Sequence, residues 1–355
     1  MPHDSANDPA PSAEAMPVPL RWVGPIRLAG PDATGDVRVP LATFESPLWP
    51  SVDRGARATR AAGGIRVVVL REGMTRSVLL EAPDAAAAVA AASEIEARQG
   101  DLAQAAQHGS RHARLLGLHA EVCGALLYLR LTLDTGEAAG HNMATRAAQQ
   151  ALDWIARQWP TLRPVSVSAN YCVDKKVSAI NAILGRGRQA IAEAVVPAEI
   201  CRTVLRVEPA AMADLNLKKN LVGSILAGSL RSANAHHANM LLALYLATGQ
   251  DGANVVEGSQ GVTLATVADG ALRFSVTLPN VIVGVVGAGK DCPAARRHLE
   301  ALGCAPGTPG AARRLAAIAA AVVLCGELSL LAALANPGEL VRSHLRLERK
   351  GRDAR

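Results

Sequence analysis

Ser168-Ala169-Asn170-Tyr171-Cys172-Val173-Asp174-Lys175-Lys176 sets one carboxylate and two ammonium groups side by side. The segment follows a short alternating run, Val165 and Val167, that reads as a strand. A strand end is a rigid place from which to present charge to a small anionic ligand. A bare Asp-Lys-Lys triplet fits a solvated turn equally well, so its surroundings must decide.

Residues 77–167 lead into the segment as one unit. A short apolar run, Val78 to Leu80, precedes an Ala-rich helix from about Pro83 to Arg98. A strand-like stretch from Ala113 to Val122 is followed by alternation from Ala125 to Leu133, which puts Leu127, Leu129, Leu131 and Leu133 on one face. Asn142 to Gln158 has the spacing of an amphipathic helix, with Ala144, Ala147, Ala148, Ala151, Leu152 and Ile155 inward. Val165 to Ser168 closes the series. The order β-α-β-β-α-β is ferredoxin-like.

The flanking regions read differently. From Val18 to about Arg76, short strand-like pieces (Arg38 to Leu41, Ile65 to Leu70) alternate with Gly/Pro turns. After Ser168, Ala233 to Thr248 is a nearly continuous apolar helix stopped by Gly249. A second apolar helix spans about Ala311 to Ala335 and ends at Asn336-Pro337-Gly338. The expected architecture is α+β: a large, mostly helical domain (18–76 and 168–340) with a central long helix, and an inserted small domain (77–167). A disordered tail (1–17) and a C-terminal flap (341–355) complete it.

The chain of 355 residues is half hydrophobic but only 3% aromatic, so Ala, Leu, Val and Ile must pack its core. Net charge is +6, a moderate bias suited to ligands that carry phosphates and carboxylates. Nucleic acid is disfavoured, because stacking aromatics are scarce and no long Lys/Arg block occurs. The six cysteines show no close-paired metal spacing, which fits reduced thiols in a cytoplasmic protein. His236 and His237 are neighbours and diverge by about 100° on a helix, so no metal site is expected. The first seventeen residues lack an apolar signal core, and the apolar run from Leu315 stops at Gly326-Glu327, short of a bilayer span. A soluble protein is expected.

Ser168 through Lys176, followed by Gly185-Arg186-Gly187 and Glu193-Ala194-Val195, resembles the catalytic segment of hydroxymethylglutaryl-CoA reductases. The likeness runs from about Val18 to Lys350 and is nearer to the eukaryotic and archaeal class than to the NADH-using bacterial one. It implies that Lys175 is catalytic and that Lys176 grips a substrate carboxylate. Glu45 in Ala42-Thr43-Phe44-Glu45-Ser46, Asp251 in Thr248-Gly249-Gln250-Asp251 and His344 in Val341-Arg342-Ser343-His344 match the other catalytic positions. Four matches in one order, with matching surroundings, exclude coincidence.

The resemblance further implies an acid-binding set of Arg76, Ser168, Asp174, Lys176, Lys219, His236 and Asn239, and a CoA-binding set of Ser51, Asp53, Arg54 and Arg57. Cofactor positions are Ser110, Arg111 and His112; Glu137, Gly140, His141, Asn142 and Met143; and Val286, Gly287, Ala288 and Gly289. Arg111 beside a serine suits a 2′-phosphate, which favours NADPH over NADH. No Rossmann glycine signature is present, and the family needs none. The expected activity is NADPH-dependent reduction of hydroxymethylglutaryl-CoA to mevalonate by a homodimer whose active sites lie between subunits. Alternatives are a relative that uses NADH or another 3-hydroxyacyl-CoA, or a non-catalytic CoA- or nucleotide-binding paralogue. Departures from the family pattern include the stiff Ser46-Pro47-Leu48-Trp49-Pro50, Leu184 at a frequently acidic position, His141 for a common methionine, and Glu348 and Lys350 near the end.

Overall fold

A computed structural model describes residues 15–108, 112–336 and 338–339 of the chain. Ser110, Arg111, His344, Glu348, Lys350, the flap from residue 341 and residues 1–14 of the tail lie outside the described residues.

Strands β1 (Leu20–Ala29) and β2 (Thr34–Ala42) pair antiparallel, Leu20 opposite Ala42 and Ala29 opposite Thr34. Helix α1 (Leu48–Ala61) follows and then β3 (Arg66–Glu81), a strand of 16 residues. Its first half pairs with β7 (Gly187–Val196), and its second half with β5 (Leu126–Asp134) and β6 (Arg163–Ser166).

Between the two halves of β3 the apolar alternation breaks at Arg71-Glu72-Gly73, and two hydrophobic clusters part there. Val67 and Val69 join one cluster; Met74, Val78 and Leu80 join the other. The expected boundary between Arg76 and Ser77 therefore falls inside an unbroken strand, a few residues past the change of core. Neighbouring pieces of sequence with different periodicity were one strand serving two cores.

The second cluster is built from α2 (Ala85–Ala97), α3 (Gln99–Gln107), β4 (Arg114–Cys123), β5 and α4 (His141–Gln158). Asp84 caps α2, its carboxylate accepting the Ala87 N–H at 2.8 Å. The chain then bends at Arg98 and starts α3, which the sequence pattern did not separate from α2. Leu127, Leu129, Leu131 and Leu133 of β5 are all buried, as their alternation requires. The sheet order is β6, β3, β5, β4, every pairing antiparallel.

The first cluster is a helix–sheet assembly, and this corrects the expectation of a mostly helical large part. After α5 (Ala179–Leu184) comes β7, which pairs with β9 (Ala271–Val281), and β9 pairs with β8 (Val262–Ala268). Strand β7 is easily missed because alanine favours helices. Its burial alternates, however, with Ala190, Ala192, Ala194 and Val196 inward.

Between β7 and β8 lie α6 (Ala198–Ile200), running into a π-helical turn at Cys201–Leu205, and α7 (Pro209–Leu215). A second π stretch at Asn216–Val222 leads into α8 (Gly223–Leu226). Helix α9 (His237–Ala247), a 3-10 turn at Gly252–Asn254 and α10 (Val255–Gly258) complete the crossing.

Helix α11 (Pro293–Ala301) precedes α12 (Ala311–Ala335), which is buried along nearly its whole length. Among the described residues α12 is the one helix long and apolar enough to cross a membrane, yet 94% of its most apolar window is inside the protein. Its continuation through Gly326-Glu327 depends on close neighbours. A methyl on Gly55 of α1 would be driven into the Cys325 carbonyl, and one on Gly326 into the Met240 side chain of α9. The methionine can move aside, but the helix backbone cannot. Gly55→Ala is expected to destabilise the fold by roughly 1–3 kcal/mol, read as a lowered urea midpoint, while Gly100→Ala, on α3 beside open space and without a positive φ, serves as the control for a helical substitution alone.

Candidate active site

The segment 168–176 is pinned to β3. Ala169 N–H donates to the Ser77 carbonyl at 3.0 Å and Cys172 N–H to the Ser77 hydroxyl at 2.9 Å. The chain then takes three left-handed turns, at Asn170 (φ 59°), Val173 (φ 46°) and Lys175 (φ 55°). Such conformations cost on the order of 1–3 kcal/mol each for residues other than glycine and persist only where surroundings impose them. The imposing groups are buried. Asn181 donates to the Cys172 and Val173 carbonyls at 3.1 and 3.0 Å, and Glu257 accepts the Lys175 N–H at 3.1 Å.

Held this way, the Lys175 ammonium lies 2.6 Å from Asp251 Oδ2. The carboxylate also accepts the Ala253 N–H at 3.0 Å. The Lys175 hydrogen bond is the main reason that Asp251 sits below the usual carboxylate range, with the Ala253 N–H adding to it.

Beside this pair, Asp174 lies 2.9 Å from Arg186 Nη2, 3.5 Å from Arg76 Nη1 and 3.8 Å from His141 Nε2. Arg186 is buried, and its other terminal nitrogen pairs with Glu257. Lys176 turns back to its neighbour's backbone, Nζ to the Asp174 carbonyl at 3.2 Å. Ser168 is exposed and lies beyond β6, which ends at Ser166.

The two inner cofactor stretches adjoin. A parallel bridge joins Ala138 to Val286, and the Val285 N–H donates to the Glu137 carbonyl at 2.8 Å. Gly140 (φ 93°) starts α4, and a side chain there would collide with Thr135. Gly287 (φ 99°) faces open space, whereas Gly289 (φ 85°) abuts Gly249, whose own φ is 65°. That backbone approach ties the glycine loop to the turn carrying Asp251. His141 Nε2 is buried with no hydrogen-bond partner, and burial, reinforced by Arg186, keeps its imidazole below the usual range. Burial likewise lowers Lys290, while Asp251 pulls the other way.

Other anticipated residues have partners within the fold. The Glu137 carboxylate accepts the Gly310 and Ala312 N–H groups, both at 2.7 Å, and so caps α12. Ser51 and Arg54 reach Ser329 at 3.1 and 3.0 Å, Arg54 also pairs with Glu339, and Asp53 accepts the Gly24 N–H at 2.7 Å. Arg57 is exposed. His112, Asn142 and Met143 lie beside the α4 start or the β4 start, with Asn142 exposed.

Glu45 forms a second group with Asn239, which donates to its carboxylate at 2.6 Å. The His236 carbonyl accepts the Asn239 N–H at 3.0 Å, and the His236 N–H donates to Glu327 at 2.6 Å. His236 Nε2 is buried and unpartnered. Lys219, on the second π stretch, is exposed and touches Asn220 at 3.1 Å. Among the described residues no hydrogen bond or ion pair joins Glu45 to Lys175 or Asp251. The sequence anticipated Glu45, Lys175 and Asp251 together; the single chain brings Lys175 to Asp251 and Glu45 to Asn239, and leaves these as two groups.

A family model of hydroxymethylglutaryl-coenzyme A reductase matches residues 13–349. The chain belongs to this family. It is 43% identical over 337 residues to the 3-hydroxy-3-methylglutaryl-coenzyme A reductase of Pyrococcus horikoshii, covering 94% of this chain and 81% of that one. The Aeropyrum pernix reductase is also 43% identical, over 341 residues, with 95% and 80% covered. A Dictyostelium discoideum reductase is 42% identical over 94% of this chain and 64% of its own length. Among solved structures, the class II reductase of Streptococcus pneumoniae bound to NADPH superposes with a TM-score of 0.74. It covers 92% of this chain and 78% of that one at 19% identity, a likeness of fold.

Glu257, Arg186, Asn181 and Glu327 were not anticipated as functional residues. A lone Glu in Val255-Val256-Glu257-Gly258 and another inside the apolar α12 were the available signals, since a carboxylate in a buried stretch needs a partner.

Proposed function

We propose that this chain reduces 3-hydroxy-3-methylglutaryl-CoA to mevalonate and free CoA, consuming two NADPH per turnover. The observation that carries this reading is the ammonium of Lys175 held 2.6 Å from Asp251, in a chain 43% identical to archaeal reductases.

When the thioester is reduced, negative charge develops on its carbonyl oxygen. The Lys175 ammonium, aimed by Asp251, stabilises that charge, and a preorganised donor of this kind is worth about 10²–10³ in rate. Arg76 and Lys176 hold the free carboxylate of the substrate, with Ser168 and Asp174 beside them. Glu45, tethered to Asn239, delivers the proton that completes the alcohol. By the family resemblance His344 protonates the departing thiolate, and Lys219, His236 and Asn239 line the acid pocket. Arg57 meets CoA phosphates from α1, with Ser51, Asp53 and Arg54 supporting it.

The site fits a reduced nicotinamide dinucleotide. The start of the 18-residue helix α4 at Gly140, the adjoining turn at Gly287-Ala288-Gly289 and the unpartnered His141 Nε2 form a cradle beside Lys175. Glu137, Asn142, Met143 and Val286 complete it, and Ser110, Arg111 and His112 take the outer phosphate. NADPH, when bound, supplies the reducing equivalents. The antiparallel order β6, β3, β5, β4 supports reading residues 77–167 as an inserted ferredoxin-like nucleotide-binding unit. The separation of Glu45 from Lys175 within one chain, together with exposed Leu217, Ile225 and Leu226, supports a homodimer in which a second copy completes each site. Six free cysteines support a cytoplasmic setting.

The test follows absorbance at 340 nm with purified protein and 3-hydroxy-3-methylglutaryl-CoA. Two NADPH oxidised per CoA released is expected. Turnover only with NADH, or only with another acyl-CoA, would replace the cofactor or substrate assignment, and no turnover with any would overturn the reading.

A further inference from the structure

We infer that Glu257 is the positioning residue that holds Lys175 in its working conformation, an assignment that rests on the reaction proposed above. Glu257 is wholly buried within α10, one residue before its end. Its Oε1 accepts the Lys175 N–H at 3.1 Å and the Arg186 guanidinium, and its Oε2 lies 3.4 Å from Asn181 Nδ2. Through Arg186 the connection continues to Asp174 at 2.9 Å and on to Arg76 at 3.5 Å. One carboxylate thus fixes the backbone of residue 175 and, through a guanidinium, the side chain of residue 174.

The need for such a group follows from the backbone. Lys175 has φ 55° and Val173 φ 46°, and a β-branched residue in the left-handed region is costly. Asn181 relieves the Val173 side of this turn through carbonyl contacts, whereas Glu257 binds the N–H of the lysine itself. In an extended conformation at residue 175 the N–H and the side chain would point elsewhere, and the ammonium would leave Asp251. Glu257 acts from beneath the turn and so works through Lys175. Burial, only partly offset by Arg186 and the Lys175 N–H, raises its carboxyl to about 7, so its protonation state is divided near neutrality.

The experiment compares Glu257→Ala with Glu257→Gln, which keeps an acceptor oxygen for the Lys175 N–H. Activity is normalised to folded protein. Loss of position predicts a roughly 10–100-fold fall in kcat for the alanine variant, with KM for the acyl-CoA changed far less, and substantial rescue by glutamine. The glutamine variant should also flatten any kcat ionisation near pH 7. A second readout needs no turnover: limiting acetic anhydride labels lysines, and peptide mass spectrometry compares Lys175 with the exposed Lys218. Labelling of Lys175 should rise several-fold in the alanine variant and stay near wild type with glutamine. If the wild type fails to turn over the acyl-CoA, the reaction is misassigned, yet the labelling still decides the role of Glu257. A lowered melting temperature with kcat and Lys175 labelling both unchanged, or glutamine failing like alanine in both readouts, would overturn it.

Discussion

Lys175→Ala is expected to lower kcat for acyl-CoA reduction by at least about 10²–10³-fold while leaving the fold intact. The two halves of this expectation come from different features of one pair. The ammonium is the one cation ion-paired to Asp251 among the described residues, so its removal takes away the charge that would meet a developing oxyanion. Yet Lys175 and Asp251 keep 40% and 47% of their side-chain surface exposed, and an ion pair that wet contributes no more than about 1 kcal/mol to stability. Loss of the Lys175 hydrogen bond would also let the Asp251 carboxyl return toward its ordinary range, placing an unpaired anion where negative charge must form. Steady-state kinetics at saturating NADPH and a urea titration measure the two effects separately. Turnover within tenfold of wild type, from protein as stable as wild type, would remove Lys175 from the chemistry.

The elements legible in the sequence were those whose pattern was local. Leu127 to Leu133 announced β5 by alternation, and the spacing of Ala144, Ala148, Ala151 and Ile155 announced α4. Asn336 marked the end of α12 to the residue. What escaped depended on pairing across long separations. Strand β7 has helix-favouring alanines, and only its insertion between β3 and β9 makes it a strand. The continuity of β3 was hidden because its two halves answer to different cores.

At the site, Lys175, Asp251, Glu45 and Asn239 were legible by resemblance, and the structure pairs them as lysine with aspartate and glutamate with asparagine. The buried framework was not legible. Arg186 and Glu257 are 71 residues apart, and Glu257 and Lys175 are 82 apart, so neither contact leaves a periodic trace. Arg54 and Glu137 show the converse. Residue type suggested ligand contact, and the fold also uses both, one to tie α1 to Ser329 and one to cap α12.

Glu327→Ala should cost about 3–5 kcal/mol of stability, because each buried donor left without an acceptor costs about 1–3 kcal/mol. Glu327 is fully buried midway along α12 and accepts the Ala235 N–H at 3.0 Å, the His236 N–H at 2.6 Å and the Thr263 hydroxyl at 2.9 Å. Alanine would leave those donors without an acceptor in the core, and release the loop that carries His236 into α9, where Asn239 meets Glu45. His237 lies 3.8 Å away, but burial drives its imidazole down to about 4, so it is neutral at pH 7. Burial pushes the Glu327 carboxyl up, and the nearby histidines and the two backbone N–H groups more than reverse this, leaving it below its usual range. With His237 neutral, the N–H groups are what hold the charge at pH 7.

The signs of these shifts set the pH dependence. A histidine with a lowered folded pKa contributes stability at high pH and loses it as pH falls from about 6.5 toward 4, by up to roughly 3 kcal/mol. A carboxyl with a lowered folded pKa contributes above its unfolded value near 4.5 and loses that contribution as pH falls through the folded value. Both slopes run the same way, His237 weakening the protein as pH falls below about 6.5 and Glu327 doing so below about 4.5. Glu257, raised to about 7, runs against them: its contribution is lost as pH climbs from about 4.5 to 7. Urea midpoints from pH 8 down to about pH 3 therefore distinguish the groups, since the Glu327 contribution is lost only below about 4.5. Glu327→Ala should start several kcal/mol lower at pH 7 and lose less on acidification than wild type, because the carboxylate is already gone. An alanine variant with wild-type midpoints at pH 7 would mean that the three donors find other acceptors, and that Glu327 does not anchor the loop before α9.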